Sequence, residues 1–209
     1  MPVVTITRMF GSGGSLVASG VASALGWTLL DNALVNRIAS GLGTTPAAVE
    51  AIEERPPSLA ERIADAFAFG SSEIVSASLN TPLPPTEERL LEVTRQVIES
   101  AVTRGPVVLV GRGAQAWLAT RTDALHVLCC APHDALVARV MAREGVSIEA
   151  ATRLVHDKNR QRAEFAKRNW GRDWLSPEHY HVCVNTAALG LDRSVTLVVQ
   201  LAETLGKGA

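Results

Sequence analysis

The sequence predicts an α/β fold: a parallel sheet of about five strands, wrapped by helices on both sides. Three observations predict it. Short apolar runs recur at 107–110, 125–130 and 181–184, as expected of strands buried on both faces. Helical patterns fall between them, which asks for right-handed crossovers between parallel strands. The chain also opens on a strand (Val3-Val4-Thr5-Ile6-Thr7), a polar glycine-rich loop (Arg8 to Ser15) and an apolar helix over 16–25. Glycines let such a loop fold into a nest of inward N–H groups, and the helix N-terminus adds partial positive charge. Phosphate binding is one reading of this layout. A turn that only joins strand to helix is the other.

Bulk properties narrow the class. The 209 residues suffice for one well-cored domain with a small insert. A net charge of −1 with 47% hydrophobic residues argues against a disordered chain and against one built to coat a nucleic acid polymer, so anion binding must come from local arginines. The first residues lack a basic and apolar leader, and no apolar run of ~18 residues calls for a membrane span, so the expected compartment is the cytoplasm. Cys129, Cys130 and Cys183 are expected to be buried reduced thiols.

In chain order, Trp27-Thr28-Leu29-Leu30 is a short strand ending at Asp31, and Asp31 or Asn32 can cap a helix over 33–41. Pro46 starts another helix towards Arg55, Pro56-Pro57 breaks it, and Ser58 caps a helix over 59–69. Residues 70–85 read as a mobile surface segment. Residues 86–104 form a long amphipathic helix with Leu90, Leu91, Val93, Val97, Ile98, Ala101 and Val102 on its apolar side. After the strand at 107–110, helices are expected over 114–120, 133–143, 147–169 and 194–205.

In a parallel sheet, ligands sit at the C-terminal strand ends. Those positions hold the glycine loop, then Asp31-Asn32 with Arg37 further along, Gly111-Arg112-Gly113, and Asn185-Thr186. Arginine grips phosphate in a bidentate fork, although Arg37 and Arg112 also make sense as ion-pair partners. Arg153, Asp157, Arg160 and Glu164 are spaced to share one helical face, and basic residues run on through Arg172. That face is either a solvated ion-pair ladder or a lid that folds over a polyphosphate. None of the five histidines has metal-ligand spacing.

Taken together, these pieces resemble the cytidylate kinase-like branch of the P-loop nucleoside monophosphate kinases. The stretch from Ile6 to Gly14 resembles that branch's opening, an arginine before a Gly-Ser-Gly-Gly loop. Leu25 to Asn32 with Asn36-Arg37 resembles the start of the monophosphate-binding region. Gly111-Arg112-Gly113 resembles Gly-Arg-Asp, the spacing Arg153, Asp157, Arg160 resembles the lid helix, and Tyr180 to Thr186 resembles the last strand and the adenine turn.

The resemblance implies a P-loop NTPase-type three-layer fold, a single domain over 1–209 with a helical substrate-binding insert at about 41–104 and a lid at about 153–175. It implies phosphoryl transfer from ATP, with Mg²⁺, to a nucleoside monophosphate, CMP or dCMP. Gly11, Ser12, Gly13, Gly14 and Ser15 would cradle the ATP phosphates, with Ser15 also on the metal. Asp31, Asn32, Arg37 and Arg112 would hold the acceptor. Arg8, Arg153, Arg160 and Asp157 would act on the transferring group. Two departures stand out. Gly14 occupies the P-loop lysine position, leaving Arg8 or the lid arginines to replace that charge, and Gly113 occupies the aspartate position of Gly-Arg-Asp. Two other readings therefore stay open: a nucleotide-binding pseudo-kinase, and a kinase whose acceptor is a non-nucleotide small molecule.

Overall fold

The computed structural model describes residues 2–47, 49 and 86–205. Among them, β1 (Val3–Arg8), β2 (Thr28–Leu30), β3 (Val107–Val110), β4 (Ala124–Cys130) and β5 (Val182–Asn185) form one parallel sheet in the order β2-β3-β1-β4-β5. β1 is central, with Val3 level with both Val107 and Ala124. The helices expected over 46–55 and 59–69, and the segment 70–85, lie almost wholly outside the described residues.

Period-two alternation divides the sheet between two cores. Val3, Val107 and Leu109 face α2 (Asn32–Leu42) and α3 (Glu87–Arg104). Val4, Ile6, Val108 and Val110 face α1 (Gly14–Leu25) and a C-terminal helix at Leu191–Leu205. This is the three-layer arrangement expected. α1 buries Gly14, Val17, Ala18, Val21 and Ala22, the i, i+3, i+4, i+7, i+8 stripe of an amphipathic helix. Thr86 caps α3 by accepting the Arg89 N–H at 3.3 Å, with Glu87 and Glu88 in the first turn and Arg104 in the last, as the helix dipole favours.

Beyond β3 come α4 (Ala114–Trp117), which is shorter than expected, α5 (His133–Glu144) and α6 (Ile148–Trp170). Ser147 caps α6 by accepting the Ala150 N–H. α5 and α6 share a separate small core of Leu136, Val137, Val140, Ala151 and Val155, against which Met9 and Phe10 pack. A 3₁₀ turn (Pro177–His179) leads into β5, and a one-turn helix α7 (Thr186–Leu189) precedes α8 (Leu191–Leu205). Asn185 Oδ1 caps α7 through the Ala187 and Ala188 N–H groups. The thiols divide: Cys129 is buried, Cys130 half-buried, and Cys183 exposed rather than buried as expected. No helix among the described residues is long and apolar enough to cross a membrane.

This topology places the glycine loop at the switch point. β1 connects through α1 to one side of the sheet, while β4 lies on its other side, so the C-terminal ends of β1, β2 and β3 open onto one crevice.

Candidate active site

The loop between β1 and α1 is folded as a nest. Gly11 and Gly13 have φ of +86° and +78°, and Gly13 is the N-cap of α1. The first N–H groups of α1 therefore lack intrahelical acceptors, as a phosphate site requires. Ser12 is fully buried, and Ser15 is exposed on the first turn of α1. The loop is braced from α6: Asn159 Oδ1 accepts the Phe10 N–H at 2.7 Å, and Arg162 Nη1 donates to the Arg8 carbonyl at 2.7 Å. The Phe10 ring lies under the Arg143 and Arg162 guanidinium groups at 4.8 and 5.8 Å.

Arg8 explains the missing lysine sterically. A Cβ at Gly14 would stand 2.5 Å from Arg8 Cβ and 3.1 Å from Cys129 Cβ. The Arg8 side chain thus leaves β1 through the volume a Gly14 side chain would need. It continues across Gly111, whose own Cβ would overlap the Arg8 guanidinium. Arg8 Nη2 ends 3.4 Å from Asp31 Oδ1. Asp31 stands at the N-cap of α2 but makes no side-chain cap bond; its carboxylate faces Arg8 instead. Asn32 opens α2.

Gly111, Arg112 and Gly113 turn away from β3 with φ of +70°, +53° and +69°. Arg112 is the single non-glycine residue with positive φ among the described residues, a conformation that costs on the order of 1 kcal/mol and is concentrated at functional sites. The Trp170 ring occupies the space a Gly113 side chain would need. Trp170 is itself held edge-on by Trp117 and Phe165, with centroids at 5.7 and 5.5 Å. The last turn of α6 is tied to α3 by Arg168 and Asn169, which both donate to Glu87 Oε1.

These elements enclose a cavity of about 270 Å³. Among the described residues, Arg8, Arg112, Lys158, Arg162 and Arg172 line it, with the carboxylate of Asp31. A chain of net charge −1 therefore concentrates five cations on one crevice, as anion binding requires. Phe165, Trp170, Trp174 and Tyr180 supply flat apolar wall, and Gln115 and Gln161 supply amides. Gln115 is held by donating to the His179 carbonyl, and Tyr180 by donating to the Trp174 carbonyl. Burial raises the Tyr180 hydroxyl above its ordinary pKa, so it stays a neutral donor. Burial, reinforced by Cys130, pushes Cys129 up to about 12, so this thiol beside the loop is no nucleophile at neutral pH.

The structure brings Arg8, Asp31 and Arg112 together around the cavity, while Gly11 to Ser15 are not among its lining residues. Arg37 is exposed on α2 and is not among the cavity residues. Arg153, Asp157 and Arg160 lie on the exposed face of α6, where Asp157 faces His156 at 3.2 Å and Arg160 at 3.8 Å. The helix turns Lys158, Gln161, Arg162, Phe165, Ala166 and Trp170 to the cavity instead. Sequence reasoning missed this face. Its signal was the i, i+4, i+7, i+8, i+12 series starting at Lys158, which mixes cations with aromatics and so looks less like a ladder than Arg153-Asp157-Arg160 does. Arg139 and Asn159, which brace the loop from behind, were missed as well, and Thr186, expected only as a strand-end position by the adenine turn, joins them in bracing it.

The chain belongs to the cytidylate kinase-like family, whose model matches residues 3–188. It is 25% identical to a cytidylate kinase of Ignicoccus hospitalis over 201 residues, which cover 96% of this chain and 99% of that one. It is also 29% identical over 136 residues to a protein of Corynebacterium glutamicum named uronate isomerase; the match covers 63% of this chain and only 25% of that protein. Among solved structures, an uncharacterized protein from Eubacterium ventriosum has a TM-score of 0.69 at 17% identity, covering 97% of this chain and 99% of that one. Shikimate kinase from Acinetobacter baumannii has 0.54 at 15% identity, covering 98% and 94%, which is a likeness of fold.

Proposed function

We propose that this family member transfers the γ-phosphoryl group of ATP to a nucleoside monophosphate, CMP or dCMP by the family resemblance. The observation that carries the reading is the convergence of Arg8, Arg112, Lys158 and Arg162 on one crevice at the end of the strand that leads into the glycine nest. Phosphoryl transfer asks a protein for positioning and charge neutralisation more than for covalent chemistry, and this site offers both.

In this reading the chain is a single domain, with 41–104 as the acceptor-binding insert and 153–175 as the lid. The Gly11–Ser15 backbone cradles the β-phosphate of ATP. Arg8, aimed across the mouth of the loop, supplies the fixed cation at the transferring phosphoryl that a lysine at position 14 supplies in other P-loop kinases. Asp31 holds that guanidinium in place. Arg112 grips the acceptor phosphate, with its strained backbone fixing the direction of the fork. Lys158 and Arg162 approach from α6, and the aromatic wall packs on the flat part of the acceptor. Arg37, Arg153, Asp157 and Arg160 remain candidates that would join only if α2 and α6 rotate on closure.

Ser15 fits a Mg²⁺ role. Its exposed first-turn position offers one hydroxyl, and Mg²⁺ is normally completed by phosphate oxygens and water rather than by an all-protein cage. When bound, the ion neutralises charge on the β- and γ-phosphates.

A second reading keeps phosphoryl transfer and changes the acceptor. Trp170 fills the place where Gly-Arg-Asp carries its aspartate, so the group that would orient a cytosine nucleotide is replaced by an aromatic ring. The test is ADP release from Mg-ATP over CMP, dCMP, UMP, AMP and a panel of small alcohols such as shikimate and gluconate. Turnover with CMP or dCMP supports the first reading, and turnover confined to the alcohols supports the second. Mg-ATP binding without turnover by any acceptor moves the weight to a pseudo-kinase.

A further inference from the structure

We infer that Arg139 and Thr186 are positioning residues for the lysine-less phosphate loop, aiming its Gly13 N–H at the nucleotide through their grip on the Ser12 carbonyl. The inference rests on the reading of the loop as a nucleotide phosphate site.

The network is closely drawn. Arg139 Nη1 donates to the Ser12 carbonyl and to Thr186 Oγ1, both at 2.8 Å, and Nη2 donates to the Thr186 carbonyl at 3.0 Å. Thr186 Oγ1 donates to the same Ser12 carbonyl at 2.5 Å. Ser12 and Thr186 are both fully buried, so water does not compete for these groups. The three residues come from the loop, from α5 and from the first position of α7 just after β5, and the sequence separations of 127 and 174 mean that the fold alone brings them together.

The consequence follows from peptide geometry. The Ser12–Gly13 bond is trans, as are all the described peptide bonds, so its C=O and N–H point in opposite directions. Two donors holding the Ser12 oxygen towards α5 and β5 turn the Gly13 N–H the other way, out to the mouth of the nest. Gly13, at φ +78°, is also the N-cap of α1, where the helix field favours an anion. The Arg139 guanidinium reaches to 3.8 Å of where a Gly13 Cβ would stand. It therefore brings a fixed positive charge behind the loop, on the side opposite Arg8. A loop without its lysine has only its N–H groups and neighbouring cations with which to hold phosphate. Preorganising one of those N–H groups, and backing it with charge, is what the Arg139–Thr186 clamp does.

The test uses the full chain in four variants: Arg139→Gln, Arg139→Lys, Thr186→Val and Thr186→Ser. Mg-ATP affinity is measured by calorimetry, the Gly13 amide resonance by NMR, and folding by thermal melts. Losing the grip on Ser12 should weaken Mg-ATP by about 10- to 100-fold, the range one charge-assisted hydrogen bond is worth. Arg139→Gln is expected in that range, with a shifted Gly13 amide and a cooperative melt. Arg139→Lys, which keeps the charge but loses the fork, should fall between it and wild type. Thr186→Val should weaken Mg-ATP, while Thr186→Ser, which keeps the hydroxyl, should bind within twofold of wild type; this pair carries the test if Arg139→Gln fails to fold. Wild type that binds Mg-ATP together with a folded Arg139→Gln or Thr186→Val that binds equally well overturns the clamp alone. So does a Thr186→Ser that loses as much affinity as Thr186→Val. A wild-type chain that binds no Mg-ATP overturns the phosphate-loop reading, and the clamp with it.

Discussion

Restoring the lysine at position 14 should damage this protein. In Gly14→Lys, the new Cβ would stand 2.5 Å from Arg8 Cβ, 3.1 Å from Cys129 Cβ and 3.2 Å from Arg8 Cγ. Carbon atoms pack comfortably at about 3.5–4.0 Å, so the first contact is short by about an ångström or more. The strands carrying Arg8 (β1) and Cys129 (β4) are paired in the interior of the sheet and have little room to yield. Overpacking of this kind costs about 1–3 kcal/mol, of which removing a glycine from a helical position returns roughly 0.5–1 kcal/mol. A net loss of about 1–2 kcal/mol corresponds to a drop of about 2–8 °C in Tm for a chain of this length. The double variant Arg8→Gly with Gly14→Lys removes the obstructing side chain and should recover most of that stability. Urea and thermal melts of wild type, both single variants and the double variant give the coupling energy directly, and more than about 1 kcal/mol is expected. A Gly14→Lys protein as stable as wild type, or single-variant effects that simply add, would falsify the claim that Arg8 and Gly14 are a matched pair.

Two further predictions address the site and the sheet. Arg162→Ala should reduce kcat/KM by about tenfold or more, because it removes a cavity cation and the bond to the Arg8 carbonyl, whereas Arg153→Ala, on the exposed face of α6, should change it by less than threefold. Steady-state kinetics with the acceptor found in the substrate panel decide this, and equal losses would show that α6 presents a different face when closed. His126 should make folding acid-sensitive. Burial, with the neighbouring His181, lowers its pKa to about 4 from 6.5, while its Nδ1 stays 2.7 Å from Thr5 Oγ1. Above pH 6.5 the ring is neutral in both folded and unfolded chains and contributes no pH dependence. As the pH falls from 6.5 towards 4, only the unfolded chain takes up the proton, so stability should decline by up to about 3 kcal/mol across that window. Urea melts of wild type and His126→Asn at pH 7.5 and 5.0 should show the smaller decline in the variant.

Much of this protein was legible in its sequence because the relevant signals are local. A strand buried on both faces must be apolar along its length, and the sequences of β3 and β4 say so directly. Loop chemistry is equally local: Gly11-Ser12-Gly13 between a strand and a helix announces a nest, and the Asp31 and Gly111-Arg112-Gly113 strand ends announce what faces it. The phase of α6 was not legible. Arg153-Asp157-Arg160 and Lys158-Arg162 are both good helical series, and only docking against Phe10 and Gly113 decides which one meets the cavity. Nor do separate stretches of sequence reveal that three glycines, Gly14, Gly111 and Gly113, stand where they do because an arginine and a tryptophan fill their side-chain space. By itself, then, the sequence determined the strands, most of the helices among the described residues and the polar groups at the strand ends, because hydrophobic period and turn chemistry act over a few residues. Tertiary structure alone decided the route of Arg8 across Gly14 and Gly111, the seat of Trp170 on Gly113 and the grip of Arg139 and Thr186 on Ser12. Those contacts join residues many positions apart, and only the packing of the β2-β3-β1-β4-β5 sheet against its helices brings them within bonding distance.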